Sequence, residues 1–391
     1  MQMLKSLPTL DSSMSILDLS NMAANAGSVL DQVREGMLEP NPRKLPPSFT
    51  ASQISNLCGF EKSKFHYQAR KHDLPLGTKK GNGHSLEFSL NEVYQWVKVL
   101  GGREQRPEGV KGSILAACNY KGGVAKTGTI VALAQALTLL GRKCLLVDLD
   151  PQGTSTQLMG VNPDTDVAEE QTLMPYIHGD LADLQYAVQD TYWENLDLIP
   201  ASSALFGAEF VLPARRFTDP KYQFWDILRL GLEPLRDKYD VIFIDTSPSL
   251  SYLTINALIA SNRLVMPCPP DALDFASSTQ FWKIFSDLAT QLPGVADSKR
   301  YDSISILLTK VKSDPLVPIV REWFNLAYAP HVLPMEIPDS TAARSSSAQL
   351  KTIYDLSKPD GSVEAYSRFK DPLDRLANHI DNEISKKWME R

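Results

Sequence analysis

Residues 118–130 read CNYKGGVAKTGTI and contain the residue types of a phosphate-binding loop, but in an unusual order. The common form of this loop is a glycine, four further residues and then Gly-Lys-Ser/Thr. In this chain an alanine precedes Lys126 and Thr127, two adjacent glycines lie further upstream, and an additional lysine, Lys121, precedes those glycines. The pattern indicates either a defective loop or a variant in which Lys121 has a function of its own.

Each residue type in this segment has a role in binding a nucleoside triphosphate. Glycine lets backbone N–H groups approach the phosphates closely, and a helix that begins here directs the positive end of its dipole at them. Lys126 is predicted to reach the β- and γ-phosphates, and the Thr127 hydroxyl to bind Mg²⁺. The predicted nucleotide-binding residues are Gly122, Gly123, Val124, Ala125, Lys126, Thr127 and Gly128.

Two apolar stretches downstream of the loop end in acidic residues. KCLLVDLDPQG places Asp148 and Asp150 at the carboxyl end of one predicted strand, where both are expected to be exposed. YDVIFIDTSPSL places Asp245 at the end of another strand, as a Walker B acid that contacts Mg²⁺ through water. Each acid alone is more often a helix cap or a solvated group. Together with the loop, the three acids predict a nucleotide site.

The elements that position these residues are predicted by alternating apolar and helical stretches after residue 112. Strands that are apolar on both sides, with helices between them, indicate an α/β fold with a mainly parallel twisted sheet covered by helices. Ligands bind such sheets at the carboxyl ends of the strands, and the loop follows the first strand. The predicted strands are 114–117, 143–147, 196–199, 241–244, 264–266, 304–308 and 332–335, and the predicted helices are 129–140, 222–235 and 275–292.

The N-terminal segment is predicted to form one helix that starts near Ser13 or Ser15. Its apolar residues recur at alternating spacings of three and four, as in a coiled-coil seam: Ile16, Leu19, Ala23, Ala26, Leu30, Val33 and Met37. A single helix cannot bury such a seam, so it packs either on its own chain or on a second copy. The proline-rich stretch EPNPRKLPP that follows is typical of an extended spacer, which favours a dimerising arm.

Residues 48–105 are predicted to form a small winged helix-turn-helix domain. Two short helices flank a turn at Gly59, and a basic glycine-rich turn, a strand and a third helix follow. Residues 43–88 hold eight Lys/Arg against three acidic residues in a chain of net charge −6, which favours a phosphate-binding surface over an ordinary solvated face. A plain helical connector is the alternative. The candidate DNA contacts are Lys62, Lys64, Arg70, Lys71, Lys79 and Lys80.

The three motifs KGGxxKT with its leading lysine, DxDPQG and YDxIxIDxxP resemble those of the ParA/MinD family of deviant Walker P-loop NTPases. The resemblance covers roughly residues 110–335, and its motifs are highly specific. It extends less specifically to the long, SopA-like group of plasmid-partition ATPases, which carry a leading helix and a winged helix-turn-helix. One departure is Gly128, where the family usually has a second Thr or Ser.

This resemblance implies a mechanism for the loop. Lys121 resembles a signature lysine that crosses a homodimer interface and contacts the ATP phosphates of the partner subunit. Asp150 is implied to position the attacking water, with Lys121 and Lys126 as the other catalytic residues. Thr127, Asp148 and Asp245 are implied on the Mg²⁺ side. Hydrolysis of ATP to ADP then loosens the dimer.

The resemblance also implies a function in DNA segregation. An ATP-bound homodimer holds non-specific chromosomal DNA, and a ParB-like centromere-binding protein stimulates its weak ATPase activity. The winged module is implied to bind operator DNA and repress its own partition operon. Arg344 and Lys351 resemble a basic stretch used for non-specific DNA, although an ordinary surface loop fits the sequence equally well.

Two alternative functions are a nucleotide-sensing transcriptional regulator and a MinD-like membrane switch. The balanced charge of the C-terminal helix favours packing in the core over a membrane anchor, so no stable membrane association is expected. Scattered cysteines and the absence of an export signal or a long apolar run favour a cytoplasmic protein, and the resemblance implies that it associates with the nucleoid. The predicted domains are 1–47, 48–105 and 106–391.

Overall fold

The computed structural model describes residues 13–38, 43–79, 86–341, 349–356 and 362–390. The chain divides into two compact units between Leu45 and Pro46. The first unit contains helix α1 (Ile16–Leu38), which confirms the predicted N-terminal helix. Ser15 caps it, because its hydroxyl accepts a hydrogen bond from the Asp18 N–H at 3.2 Å while the Asp18 carboxylate accepts one from the Ser15 N–H at 2.8 Å.

The second unit begins with a small subdomain of helices and short strands. Two helices are joined through a turn in which Gly59 has a φ of +70°, a conformation that glycine adopts without steric cost. The three strands form an antiparallel sheet in the order β1-β3-β2. The elements are β1 (Phe49–Thr50), α2 (Ala51–Leu57), a 3-10 turn (Lys62–Lys64), α3 (Phe65–His72), β2 (Thr78–Lys79), β3 (Leu86–Phe88) and α4 (Leu90–Leu100).

An aromatic core holds this subdomain together. The rings of Phe65 and Trp96 stack with centroids 4.4 Å apart, and Phe88 packs edge-on against Phe65. The Trp96 Nε1–H donates a hydrogen bond to the Pro75 carbonyl at 2.9 Å, which satisfies the one polar atom of the buried indole. Phe65 and Ala69 are both buried in this core. The element order agrees with a winged helix-turn-helix, and that assignment stays a prediction.

The rest of the second unit is built on a seven-stranded sheet in which all neighbouring strands are parallel. This confirms the predicted fold class and all seven predicted strands. The order across the sheet is β10-β9-β8-β4-β7-β5-β6. The strands are β4 (Ser113–Ala117), β5 (Cys144–Asp148), β6 (Leu196–Ile199), β7 (Val241–Asp245), β8 (Arg263–Cys268), β9 (Ser303–Val311) and β10 (Val332–Pro338).

Helices connect and cover these strands. They are α5 (Lys126–Leu139), α6 (Thr154–Leu158), α7 (Met174–His178), α8 (Ala208–Thr218), α9 (Ile227–Leu232), α10 (Tyr252–Ala260), α11 (Ala272–Gln291), α12 (Val295–Ser298), α13 (Val317–Tyr328) and α14 (Val363–Met389). The predicted helix over 222–235 is wrong in extent. Only α9 is α-helical there, and a 3-10 turn (Glu233–Asp237) follows, because Pro234 has no N–H to continue the helix.

Strand β4 lies at the point where the chain changes direction across the sheet. The strands that follow it in sequence, β5 to β7, lie on one side of β4, and β8 to β10 lie on the other. A crevice opens at the carboxyl ends of the strands at such a switch point. The loop after β4 and the acids that end β5 and β7 therefore meet at one edge of the sheet.

Helix α5 runs from this edge to the small subdomain. It begins at Lys126 and is almost entirely buried, between the sheet and α14. Beyond its far end, Gly141 lies against Val97 of α4, so close that an added side chain there would touch the Val97 methyl group at 3.5 Å. The nucleotide edge of the sheet and the small subdomain are thus joined by one buried helix.

The C-terminal helix α14 packs into the core, as predicted. Its apolar residues at helical spacing are all buried: Leu373, Leu376, Ile380, Ile384 and Trp388. Across the residues that the structure describes, we find no helix with the length and apolar content that a membrane crossing requires.

A buried ion pair fastens α14 to the turn after α5. The Arg142 guanidinium donates to both carboxylate oxygens of Asp381, at 2.6 and 3.2 Å, and both side chains are 1% exposed. The same guanidinium donates to the Glu104 carbonyl at 2.6 Å and to the Ser385 hydroxyl at 2.9 Å, and lies over the Trp388 ring. This arrangement satisfies the charged groups almost entirely within the protein.

We expect Arg142→Met to lower the free energy of unfolding by about 3–5 kcal/mol, because it leaves the Asp381 carboxylate buried without its main partner. Urea unfolding followed by circular dichroism measures the change. The double variant Arg142→Met with Asp381→Leu removes both charges and should recover much of the loss. A loss below about 1 kcal/mol for Arg142→Met would contradict this assignment.

Candidate nucleotide site

The loop after β4 is anchored to neighbouring strands. The Asn119 side-chain amide donates to the Pro267 carbonyl at 3.0 Å, and its oxygen accepts from the Lys121 N–H at 3.0 Å. The Thr309 hydroxyl of β9 donates to the Val124 carbonyl at 2.9 Å, and Val124 is buried. These contacts fix the loop backbone to the neighbouring strands.

The backbone conformation of the loop explains why a glycine occupies position 123. Gly123 has a φ of +74°, which glycine adopts without strain, and no protein atom lies within 4 Å of the position that its Cβ would occupy. Ala125 also has a φ of +74°, at a cost of roughly 1–2 kcal/mol for a residue with a Cβ. The loop is therefore an intact phosphate-type loop whose concave side is open, and not a defective one.

Lys126 begins α5 and is buried beneath the loop. Its ammonium donates to the Lys121 carbonyl at 3.2 Å, which folds the loop over it. Burial lowers the pKa of Lys126, because a low-dielectric surrounding disfavours the charged form, and the negative charges of Asp245 and Asp150 oppose that shift. The structure thus brings together the lysine and acids that the sequence predicts.

Asp148 differs from its prediction, because it is fully buried and not exposed. It lies opposite Asp245 in the register of β5 and β7, inside the sheet. One carboxylate oxygen accepts from the Thr156 N–H at 2.9 Å and from the Thr156 hydroxyl at 2.8 Å. The other accepts from the Asp150 N–H at 3.1 Å. Asp150 itself is half-buried at the edge of the crevice.

Asp245 is also fully buried, but its carboxylate is only partly satisfied. One oxygen accepts from the Ser155 hydroxyl at 2.7 Å. The other, Oδ1, is buried without a hydrogen-bond partner among the described residues. A buried acceptor without a partner costs about 1–3 kcal/mol, so its presence at this edge of the sheet needs a functional reason.

Burial raises the pKa of both carboxyl groups. For Asp148 the negative charge of Asp245 adds to the increase. For Asp245 the hydroxyls of Ser155 and Thr127 and the charge of Lys126 oppose it. When both acids are ionised, two buried carboxylates face one buried ammonium, and the site carries an excess of negative charge.

The donor set fits a hard divalent cation. Carboxylate and hydroxyl oxygens are the ligands that Mg²⁺ prefers, and Mg²⁺ takes one or two carboxylates and completes its shell with water and phosphate oxygens. Within the described parts of the chain, no group of three or more His, Cys, Asp and Glu residues is placed to hold a metal by itself. The Asp245 carboxylate and the Thr127 hydroxyl therefore fit Mg²⁺ bound together with a phosphate.

Lys121 does not enter the phosphate loop of its own chain. Its ammonium pairs with a carboxylate oxygen of Asp274 on α11 at 2.8 Å, and the lysine side chain is 37% exposed. The other carboxylate oxygen of Asp274 is buried without a hydrogen-bond partner among the described residues. The second lysine of the loop is thus held at the rim of the crevice, on the side of α11.

A cavity of about 1270 Å³ opens over the loop, which is ample room for a nucleotide. Its lining includes the loop glycines, Lys126, Asp150 and the start of α13. Lys351 also lines this cavity and donates to the Gln349 side chain at 3.2 Å. The structure thus brings Lys351, predicted to bind DNA, to the wall of the nucleotide cavity.

The other predicted DNA contacts lie on the small subdomain. Five are exposed, on α3, on the turn before it and on β2: Lys62, Lys64, Arg70, Lys71 and Lys79. Lys80 and Arg344 lie outside the described residues. The DNA-binding role of this set stays a prediction, as do the individual roles of the nucleotide-site residues.

Sequence reasoning missed the residues that hold the predicted ones in place. Ser155 and Thr156 bond to the two buried acids, and Asp274 pairs with Lys121. The run Thr-Ser-Thr directly after the DPQG motif was a signal for the first two, because hydroxyl groups are natural partners of buried carboxylates. Asp274 lies 153 positions from its partner in the chain (274 − 121), and no local pattern connects the two.

Comparisons with known proteins agree with this site. A family model described as an AAA domain matches residues 112–294. Protein SopA of Escherichia coli (strain K12) is 28% identical over 358 residues, which cover 88% of this chain and 90% of SopA. A solved structure described as a partition protein has the same fold, with a TM-score of 0.65 and 20% identity over 94% of this chain and 97% of that one.

A third similar protein was solved with ligands in place. Cobyrinic acid a,c-diamide synthase from Mycobacterium smegmatis, with a bound ATP analog and magnesium, has a TM-score of 0.53. It is 27% identical and covers 69% of this chain and 95% of its own.

The fold and the site together define the class of the protein as a P-loop ATPase with a deviant phosphate loop. Within that class, the chain is similar to SopA and shares the fold of a partition protein of known structure, and its three motifs resemble those of the ParA/MinD family.

We expect Asp245→Asn to stabilise the protein at pH 7 in the absence of nucleotide and Mg²⁺, by about 1–3 kcal/mol. Because burial raises the pKa of Asp245, ionisation opposes folding as pH rises above the carboxyl's ordinary value. The gain should shrink as pH falls from 6 and should vanish only below the ordinary carboxyl pKa of about 4, where the wild-type group is protonated in both states.

Urea unfolding at pH 4, 5, 6 and 7 measures this difference. Asp150→Asn is the matched control, since it alters an acid at the same cavity that is not fully buried, and its stability should stay within about 0.5 kcal/mol of wild type. If Asp245→Asn is as stable as wild type at every pH, the buried-charge interpretation is wrong.

Proposed function

We propose that this protein is an ATP-gated switch for DNA segregation, which pairs into a homodimer around ATP and separates after hydrolysis. The observation that carries this proposal is the geometry of the two loop lysines. Lys126 is buried beneath its own loop, whereas Lys121 lies at the rim, paired with Asp274 and directed away from that loop. A lysine in that position is available to a second subunit.

The residues of the loop would hold the nucleotide. Backbone N–H groups of residues 122–128 and the Lys126 ammonium would bind the phosphates, at the N-terminus of α5. Mg²⁺, when bound, would neutralise phosphate charge. Thr127 and the unsatisfied oxygen of Asp245 are the groups that fit it. Asp148, whose oxygens already accept three hydrogen bonds, would support Asp150 and Thr156.

Asp150 is the proposed residue that orients the attacking water. It is half-buried in the lining of the cavity, and its backbone N–H donates to the Asp148 carboxylate at 3.1 Å. The intrinsic activity is proposed to be weak, because one subunit lacks the second ammonium that would stabilise charge developing on the phosphates. Lys121 of the other subunit would supply that ammonium, which makes hydrolysis depend on pairing.

The direct test of this proposal is ATP hydrolysis by the wild type alone, with DNA, with a ParB-like protein of the same partition locus, and with both. We expect stimulation that is greatest with both, and ATP-dependent pairing by light scattering. Lys121→Ala should bind ADP as the wild type does. It should neither form the homodimer in the presence of ATP nor be stimulated by the ParB-like protein, because the contact across the homodimer interface is lost.

Lys283→Ala is the matched control, because this lysine of α11 is exposed and its ion pair with Asp287 is local. It should behave as the wild type in both assays. If Lys121→Ala still forms a homodimer in the presence of ATP, the proposal that this lysine acts on the nucleotide of the other subunit is wrong. An absence of any stimulation by DNA or partner would instead favour a nucleotide-sensing regulator.

The small subdomain is proposed to bind operator DNA and to repress the partition operon. Two observations support this role: the exposed cations on α3 and on the turn before it, and the antiparallel strands beside them. In a helix-turn-helix the second helix enters the major groove, and surrounding cations hold the phosphates. A homodimer would present two such helices to two half-sites.

We expect Arg70→Ala with Lys71→Ala to weaken DNA binding and to reduce its salt dependence. The slope of log affinity against log salt concentration should fall by about 0.9 for each lost phosphate contact. Titrations of labelled DNA at several salt concentrations measure the slope. Lys221→Ala, which removes an exposed lysine outside this subdomain, should leave the slope unchanged. An unchanged slope in the double variant would remove these residues from the DNA interface.

Partners and location follow from the same proposal. The homodimer would bind non-specific chromosomal DNA as well as its operator, and a ParB-like centromere-binding protein would stimulate release. The protein would act in the cytoplasm at the nucleoid, without stable association with the membrane. The domain boundaries at residues 47 and 105 remain part of the proposal.

A further inference from the structure

A row of exposed aromatic side chains lies along helix α8. Phe206 is in the turn that leads into α8, and Phe210 and Phe217 are on the helix; they are 53%, 76% and 90% exposed. Spacings of four and seven residues place them on one face of the helix. Ala208 and Leu212, on the opposite face, are fully buried. Exposed apolar patches of this kind mark sites of interaction.

The segment that carries this row is hydrogen-bonded to the nucleotide site at one place and to the start of α10 at another. Upstream, the Ala201 N–H donates to the Thr156 hydroxyl at 2.9 Å, and that hydroxyl donates to Asp148 at 2.8 Å. On α8 itself, the Glu209 carboxylate accepts from the Tyr252 N–H at 3.1 Å, where the loop after β7 ends and α10 begins. A shift of α8 would therefore reach the loops behind both buried acids.

The size of the row favours a partner protein over a second copy of this chain. A fully covered Phe side chain buries about 150–250 Å², so three partly exposed rings offer roughly 400 Å². A stable protein–protein interface buries about 800 Å² on each partner. The area that the row offers is about half of that, which suits a short segment that binds transiently.

The spacing of the row indicates the shape of that segment. The three rings span about 16 Å along α8, since each residue of a helix advances 1.5 Å. An amphipathic helix with apolar anchors one to two turns apart matches both this length and the apolar character.

We infer that the Phe206–Phe210–Phe217 row docks an amphipathic helical segment of the ParB-like partner, and that this contact stimulates ATP hydrolysis through Thr156 and Glu209. The inference rests on the proposed function, because it locates the surface on which the stimulating partner acts.

The test uses the full chain with Phe210→Ala and Phe217→Ala together, and the purified ParB-like protein of the same locus as the probe. Both side chains are exposed, so the variant should fold and keep the intrinsic hydrolysis rate. Its affinity for the partner should fall about tenfold or more, and stimulation should be lost. Leu326→Ala, which alters a 78% exposed apolar residue on α13, should respond as the wild type does.

The possible outcomes separate this inference from the proposed function. If the partner stimulates the wild type and the double variant equally, the row is not its docking surface, while the proposed function stands. If the partner does not bind the wild type, the proposed function fails and so does this assignment. If light scattering shows that the double variant loses self-association, the row joins two copies of the chain and the inference is overturned.

Glu209 provides a second test, which addresses the proposed link between α8 and ATP hydrolysis. Glu209→Ala should bind the partner within about threefold of wild type but show reduced stimulation, because the link to the start of α10 is lost. Glu209→Gln keeps an acceptor oxygen for the Tyr252 N–H and should restore stimulation. Full stimulation of Glu209→Ala would show that the contact is not transmitted through this residue.

Discussion

The structure depends on two carboxyl groups that are buried side by side at the carboxyl ends of adjacent parallel strands. Asp148 and Asp245 end β5 and β7, and Lys126 is buried with them. Ionising both carboxyl groups out of water raises the free energy of the folded chain, and burial accordingly raises the pKa of each. The oxygen atoms at this edge of the sheet form a donor set that fits a cation.

Hydroxyl groups and backbone N–H groups stabilise these two buried carboxyl groups by hydrogen bonding. Ser155 and Thr156, in one short helix, each bond to a different buried acid, and the Asp150 N–H bonds to Asp148 as well. The remaining carboxylate oxygen of Asp245 has no hydrogen-bond partner among the described residues. The network extends from Thr156 to Ala201, which lies upstream of α8, and a separate hydrogen bond joins Glu209 of α8 to the start of α10.

The sequence predicted the sheet, the loop and the C-terminal core helix, because these depend on local patterns. Apolar runs identify buried strands, and the unusual glycine-lysine order identifies the loop. The prediction that Asp148 is exposed was wrong, because the burial of a residue at a strand end depends on which strand lies beside it. Asp274 as the partner of Lys121, and Lys351 in the cavity wall, depend on residues far apart in the chain. The predicted helix over 222–235 was too long at both ends, since α9 begins only at Ile227 and Pro234 prevents its continuation.

Helix α5 connects the two halves of the second unit, which are the sheet with its nucleotide site and the small subdomain. Its first residue is Lys126, and just beyond its last turn Gly141 lies against Val97 of α4. Fourteen residues of buried helix are a stiff rod about 21 Å long. A displacement of its first turn would therefore act on the helix that closes the aromatic core around Trp96. The proposed nucleotide site and the proposed DNA-binding subdomain contact opposite ends of this one helix.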